Sequence, residues 1–411
     1  MKRILIVAES IDANQGSGAK ANLALIQNLA QAGFKCKVFH YSRKQIELEN
    51  LRTILIPENR YSLLFFLSRI ERYLRSYLKL SLNPKIEKKT GFSFTLKNDR
   101  NSIIAALKKE KNFSPDWILS LSQGGSFRPH HALLRMPELH DKWIAYIHDP
   151  YPMHWYPKPY TWKEPGHELK QQFMKSIADC CTYTAFPSEL LMELMGKHYR
   201  PFREKGIVIP HQIADEVRER KPDFLKIDPT EFILLHAGNL LQARKPKGLV
   251  EGFRSFLLNN PSAKAKLILI GPAPHYEEYL KGISKEEPRI ISICENKSFE
   301  EVTWLQNRAS VNIILEAKAT SSPFLPGKFP HCIRTRKPIL VLGPVVSEVR
   351  RILGPDYPYW SSIDDMKRIS NHVEILYKKW ESGSLEMDYE DQFEYLSSSH
   401  LKKMIENLRK P

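Results

Sequence analysis

Residues 3–8 (RILIVA), 17–32 (SGAKANLALIQNLAQA) and 35–40 (KCKVFH) decide the fold class of this chain. The first and third are short continuous apolar runs, the pattern of strands buried on both faces. The stretch between them carries apolar residues at helical spacing and stops at Gly33, a residue suited to ending helices. Strand, helix and strand in that order predict a βα unit opening a parallel sheet. Runs at 117–122 (WILSLS), 143–148 (WIAYIH) and 207–210 (IVIP) extend it, so the first half reads as an open α/β domain.

Working outward, residues 209–230 (IPHQIADEVRERKPDFLKIDPT) are polar with three prolines and suit a linker. The alternation then restarts. Strand-like runs stand at 232–237, 266–271, 289–293, 311–315 and 338–342, with helical patterns near 247–259, 298–308 and 328–335. That is a second doubly wound domain. The predicted layout is a domain over 1–208, the linker, a domain over 231–375, and a helical segment over 376–411 that packs back on the first domain.

The 411 residues, 42% of them hydrophobic, supply two large cores and exclude a disordered tail or a disulfide-stapled miniprotein. Five cysteines without a CxxC pair signal neither a zinc site nor a redox dithiol, which points to a reducing, cytoplasmic chain. The apolar run behind Met1-Lys2-Arg3 is too short for a signal-peptide core, and no stretch of 18 apolar residues spans a membrane. A net charge of +16 predicts an anionic partner. The basic residues form no recognised nucleic-acid reader motif, so nucleic acid is not expected.

Residues 61–100 interrupt the βα rhythm. Leu64, Leu67, Ile70, Leu74 and Leu78 recur at steps of three and four beside Arg69, Arg72, Arg75, Lys79, Lys85, Lys88 and Lys89. Two readings stay open: an amphipathic helix packed on its own domain, or one lying on an anionic bilayer, making the chain peripheral on the inner face of the membrane.

In the second half, His236-Ala237-Gly238-Asn239 closes a predicted strand, and Arg244 stands six residues after Gly238, just before a helix. A guanidinium beside a helix start suits a phosphate. Further on, Ser321-Ser322-Pro323-Phe324-Leu325-Pro326-Gly327-Lys328 opens another predicted helix. A lysine opposes that end of the helix dipole unless an anion lies between, so its placement suggests a bound diphosphate.

These residues resemble the second domain of the GT-B glycosyltransferases, in particular the retaining family 4. Gly238 stands at the family's glycine, Asn239 at its arginine, Arg244 at its lysine, and Gly252-Phe253 at its helix end. The family's Glu-x7-Glu pair falls on Pro323 and His331, so both carboxylates are absent. The Ser-Pro-Phe-Leu-Pro-Gly-Lys form resembles a subgroup in which this turn and its lysine occupy the donor site. His331 is then the group left to face a ribose.

In the first half, Gly16, Ser17 and Gly18 satisfy G-x-G-x-x-A with Ala21, but the strand ends too early and 38–41 lacks a ribose-binding acid. The resemblance assigns this loop instead to the donor phosphate. His148-Asp149-Pro150-Tyr151 ends a predicted strand and is similar to a family stretch near donor sugar and acceptor.

The resemblance thus implies an α/β GT-B protein, two Rossmann-like domains facing each other across a cleft. The implied activity is sugar transfer from a nucleotide-diphosphate donor, UDP- or GDP-linked, to a glycan or lipid-linked acceptor in cell-surface polysaccharide or glycoconjugate assembly. Retention at the sugar carbon and independence of metal and other cofactors are implied as well. Arg244 and Lys328 are assigned to the leaving diphosphate. Gly16, Ser17, Gly18, Gly238, Asn239, Ser321, Ser322, Phe324, Leu325, Pro326, Gly327 and His331 are assigned to the donor. If the enzyme inverts, His148 or Asp149 is the first general base to consider. The rival readings are a nucleotide-sugar 2-epimerase of the same fold and a degenerate protein that binds a sugar nucleotide or anionic polymer without turnover.

Overall fold

The computed structural model describes residues 1–214 and 218–410. Part of the expected linker, residues 215–217, lies outside the described residues, as does residue 411. The chain divides into two compact units, Met1–Gln212 with the C-terminal stretch from Leu396, and Ile213–Tyr395.

The first unit is built on seven strands, β1 (Arg3–Ala8), β2 (Lys35–His40), β3 (Arg52–Leu55), β4 (Trp117–Leu121), β5 (Trp143–Tyr146), β6 (Tyr183–Phe186) and β7 (Gly206–Val208). They lie in the order β3-β2-β1-β4-β5-β6-β7, and every pair is parallel. Strands β3 and β6 carry too few apolar residues in sequence to stand out; their neighbours complete them. Successive side chains of a strand point to opposite faces. Accordingly Leu5 and Val7 join one core with Trp143 and Phe173, while Ile4, Ile6 and Ala8 join another with Leu25 and Leu29 of the helix Ser17–Gln31. Leu401 and Ile405 of the last helix, Ser398–Asn407, enter that second core. Lys2 Nζ donates to Ile405 O at 2.8 Å and secures the attachment.

The second unit has six parallel strands, β8 (Phe232–Ala237), β9 (Ala265–Ile270), β10 (Ile290–Ile293), β11 (Val311–Leu315), β13 (Ile339–Leu342) and β15 (Trp360–Ser361), in the order β10-β9-β8-β11-β13-β15. A separate two-stranded ribbon pairs β12 (Ser321–Ser322) with β14 (Val346–Ser347). Gly252 lies inside the helix Lys247–Asn259 rather than at its end. A Cβ there would stand 2.7 Å from Ile369 Cγ2, so the glycine admits close approach of the helix Met366–Glu381. That packing keeps residues 366–381 in the second unit, which runs on to Tyr395.

The stretch 61–100 folds as the helices Leu63–Tyr77 and Asn83–Thr90 and the start of Phe94–Lys108. Ser62 and Ser93 cap two of them by accepting from the amides of Phe65 and Leu96. Leu64, Leu67 and Leu74 of the expected stripe are half-buried, whereas Ile70 and Leu78 are exposed. Ile70 belongs instead to an outward-facing stripe whose other members the sequence pattern did not single out: Leu63, Phe66, Ile70, Tyr73 and Tyr77 are each more than half exposed. Among the described residues no helix is long and apolar enough to cross a membrane.

Candidate functional site

In both units the strand order reverses beside the first strand, between β1 and β4 and between β8 and β11. Open α/β sheets bind ligands at such points, outside the carboxyl ends of the strands.

In the second unit that point is splayed. Strands β8 and β11 pair only at Val311 with Leu234 and Asn312 with Leu235. Beyond this the ladder stops, and the Ile313 carbonyl accepts from Lys328 Nζ at 3.0 Å instead of from a strand. The same ammonium donates to His236 Nδ1 at 3.0 Å. His236 Nδ1 also lies 3.3 Å from Ile313 O, so the imidazole, the Lys328 amine and that carbonyl form one buried polar cluster. Burial above all, then the charges of Lys328 and Arg244, holds His236 well below the usual histidine range, so the ring is neutral. Lys328 is itself pushed down to about 7 by burial, with Arg244 acting in the same direction against the Cys332 thiol. Arg244 Nη1 reaches the Asn239 carbonyl at 3.4 Å, and its Nε is buried without a partner. The opening thus gathers two cations and an unpaired N–H, and among the described residues no carboxylate pairs with either cation, an arrangement that an anion would complete.

One carboxyl stands close by. Glu316 follows β11 and is buried, which raises its pKa to about 7. The hydroxyls of Ser322 and Ser347 and the charges of Arg244 and Arg350 draw it partly back down, yet neither carboxyl oxygen completes a hydrogen bond. Gly343 is required beside it, because a Cβ there would stand 2.6 Å from Glu316 Oε2. Sequence reading passed over Glu316. The available signal was an acid directly following the apolar run VNIIL.

The helix expected over 328–335 spans only Phe329–Arg334, with Lys328 as its cap residue. So short a helix has a weak dipole, and the positive potential comes from side chains. Ser321 and Ser322 form β12, and Leu325 is buried under the turn, with Phe324, Pro326 and Gly327 half-buried around it. Gly238 lies beside Lys328, a Cβ on it falling 3.6 Å from Nζ, whereas Asn239 is exposed. His331 packs edge-on against Phe299, ring centroids 5.0 Å apart.

In the first unit Asn22 ties the switch point together. Its Nδ2 donates to Ser10 O at 3.2 Å and Ser122 O at 3.1 Å, and its Oδ1 accepts from His148 Nε2 at 2.9 Å. That bond leaves Nδ1 as the lone pair of His148. Burial, then His211, whose ring stacks 5.9 Å away, keeps His148 neutral at pH 7. Asp149 follows, half-buried. Gly16 and Gly18 pack under Gln123, whose Nε2 donates to the Gln15 carbonyl, and Ser17 is exposed. Among the described residues no group of three or more His, Cys, Asp or Glu side chains gathers as a metal site.

No family model and no curated protein matches the chain. Solved structures do. Trehalose-6-phosphate synthase OtsA superposes with a TM-score of 0.62 at 10% identity over 100% of both chains. Anabaena HepE, in complex with UDP and glucose, gives 0.55 at 10% identity, covering 98% of this chain and 95% of that one. A UDP-forming α,α-trehalose-phosphate synthase from Burkholderia xenovorans, in complex with glucose-6-phosphate, gives 0.56 at 11% identity over 99% of each. The likeness shows the fold: two parallel doubly wound units, the GT-B class.

Proposed function

We propose that this chain is a glycosyltransferase of the retaining family 4 type, moving a sugar from a nucleotide-diphosphate donor to a glycan or lipid-linked acceptor in cell-surface polysaccharide assembly. The observation that carries it is Lys328, held over the β8/β11 opening by Ile313 O and His236, with Arg244 close enough to lower its pKa. Breaking the sugar–phosphate bond puts charge on the departing diphosphate. Lys328 and Arg244 neutralise that charge as it grows. This charge stabilisation needs neither a metal nor another cofactor. The GT-B fold, which this chain shares with proteins solved with UDP or UDP-2-fluoro glucose, supports the same reading.

His148 presents a neutral acceptor at Nδ1, suited to orienting a sugar hydroxyl, and its low pKa makes it a weak base. That favours retention, in which no protein group must fully deprotonate the acceptor. Asp149 is the base to consider for inversion. Of the rivals, a 2-epimerase needs carboxylates around the sugar ring; Glu316 is a buried carboxyl close to Arg244 that would serve that reading.

The test is thermal stability with UDP, GDP, ADP, CMP and dTDP, on wild type and Arg244→Ala. One nucleotide at a hundred times its Kd is expected to add about 2.7 kcal/mol, and the variant to lose most of that gain. No response to any nucleotide would overturn the donor site.

The outward stripe of the helix Leu63–Tyr77, flanked by Arg69, Arg72 and Arg75, supports docking on an anionic membrane as a peripheral protein. A second copy of the chain would bring the same positive charge against it. Flotation with phosphatidylglycerol vesicles is expected to exceed that with phosphatidylcholine, and Phe66→Ser with Tyr73→Ser to remove the difference. Equal flotation with both lipids sinks the docking.

A further inference from the structure

A groove of about 680 Å³ opens in the second unit at the amino ends of its sheet, the edge opposite the Lys328 opening. Glu231 leads into β8, Ser310 into β11 and Lys337 into β13, and all three line it. The six residues of β8, about 20 Å of chain, separate it from the carboxyl edge where Gly238 and Lys328 meet. Trp304 of the helix Phe299–Arg308 and Trp380 of the helix Met366–Glu381 both line this groove, and both are half-buried. They belong to different cores: Trp304 packs with Ile227 beside Leu225 and Ile233, whereas Trp380 packs with Leu385 on the core that holds Phe232.

The charge around the two rings is positive. Arg308 lies over the Trp304 ring at 4.1 Å and pairs with Glu219 at 2.6 Å. Glu231 is taken by Lys266 at 2.6 Å. That leaves Lys221 and Lys337, without a carboxylate partner among the described residues, against the single acid Glu386 in the lining. Lys337 Nζ donates to the Ala309 carbonyl at 2.7 Å; burial, then the Arg308 charge, pulls its pKa down, a cost that an anion would offset. The volume is that of a small-ligand pocket. None of the lining residues belongs to the edge strands β10 and β15, so an extended peptide finds no strand to pair with here. A pyranose ring presents an apolar C–H face to an indole and hydroxyls to Asn307 and Glu386, and a carboxylate on it meets the two amines.

We infer that this groove is a second binding site, for an acidic saccharide, its ring faces on Trp304 and Trp380 and its carboxylate on Lys221 and Lys337. The site goes beyond the glycosyltransferase reading and does not depend on it, because its residues stand at the amino ends of the strands and not at the carboxyl ends. In an enzyme of polysaccharide assembly it would hold a stretch of acidic chain away from the chemistry; that role alone rests on the reading.

Calorimetry on the full chain tests it. Tri-galacturonate and a hyaluronan tetrasaccharide are the acidic probes, maltotriose the neutral one, and triglutamate a peptide of like charge. Lys221→Gln with Lys337→Gln removes the amines, and Trp304→Leu removes an indole while keeping apolar packing; an unchanged unfolding temperature confirms each fold. Lys221 is exposed, so Lys221→Gln alone serves if the double variant melts early. Expected is binding of an acidic saccharide, about tenfold or more weaker in the lysine variant and weaker also in Trp304→Leu, with maltotriose and triglutamate each binding at least about tenfold less tightly. No binding of either acidic saccharide, equal binding of maltotriose or triglutamate, or an affinity unchanged in the lysine or the tryptophan variant overturns the inference. UDP titrated into the same proteins reports the Lys328 opening separately. Its binding should be the same in all of them, and its absence in wild type would sink the donor reading whatever the groove does.

Discussion

Replacing Lys328 by Ala is expected to lower kcat for sugar transfer by about 10²–10³-fold, the loss typical of removing one donor aimed at developing negative charge, roughly 2.7–4 kcal/mol. KM for the donor should change much less, because the charge that Lys328 meets is larger in the transition state than in the ground state. Lys328→Arg keeps the charge but not the geometry. The ammonium is held by two acceptors, Ile313 O and His236 Nδ1, both at 3.0 Å, and a planar guanidinium cannot reproduce that compact fit. Arginine should therefore recover only part of the rate. Steady-state kinetics with the nucleotide sugar found in the stability panel measures both variants. A Lys328→Ala enzyme within threefold of wild-type kcat removes Lys328 from the chemistry.

The second large effect is on pH. With a folded pKa of about 7, Lys328 is charged in the free protein at pH 6 and largely neutral at pH 8. A bound diphosphate raises its pKa, so binding above pH 7 takes up a proton. UDP affinity is then expected to be nearly flat below pH 7, apart from ionisation of the nucleotide itself. It should fall by up to tenfold per unit between pH 7 and the raised pKa of the complex. Titration calorimetry at pH 8 in two buffers of different ionisation enthalpy counts the proton directly. The uptake should vanish in Lys328→Ala; uptake persisting there would move the titration to Glu316, which is also poised at about 7.

The same linkage acts on the apo protein. Lysine is charged in the unfolded chain up to pH about 10.4, whereas folded Lys328 loses its proton from about 7 upward. The unfolded state binds more protons between these limits, so this group makes stability rise with pH there and adds no slope below them.

Most of the sheet framework could be read from the sequence, because continuous apolar runs such as 3–8, 232–237 and 311–315 must be buried on both faces wherever they lie. The glycine and proline punctuation around Gly238 and Lys328 marked the strand-to-helix turns for a similar reason, since local backbone chemistry is written in local residues. Strands β3 and β6 lacked that signal. They are strands because the ladder of β2 and the ladder of β5 extend to them.

The site divides along the same line. Arg244 and Lys328 were identifiable as cations near turns, but their partners were not. His236 and Ile313 approach Lys328 only because β8 and β11 part after two residue pairs. Glu316 becomes a neutral-range acid only because Gly343, 27 residues on, leaves room for it in a buried place. Arg43 and Arg72 line one cavity of the first unit together with Asp99 and Arg128, residues far apart in the chain. The sequence by itself determined the alternation of strands and helices, the two-unit plan and the positive charge. Tertiary structure alone decided which charges are paired, which are buried and which remain for a ligand, because pairing and desolvation depend on groups far apart in the chain that only folding brings together.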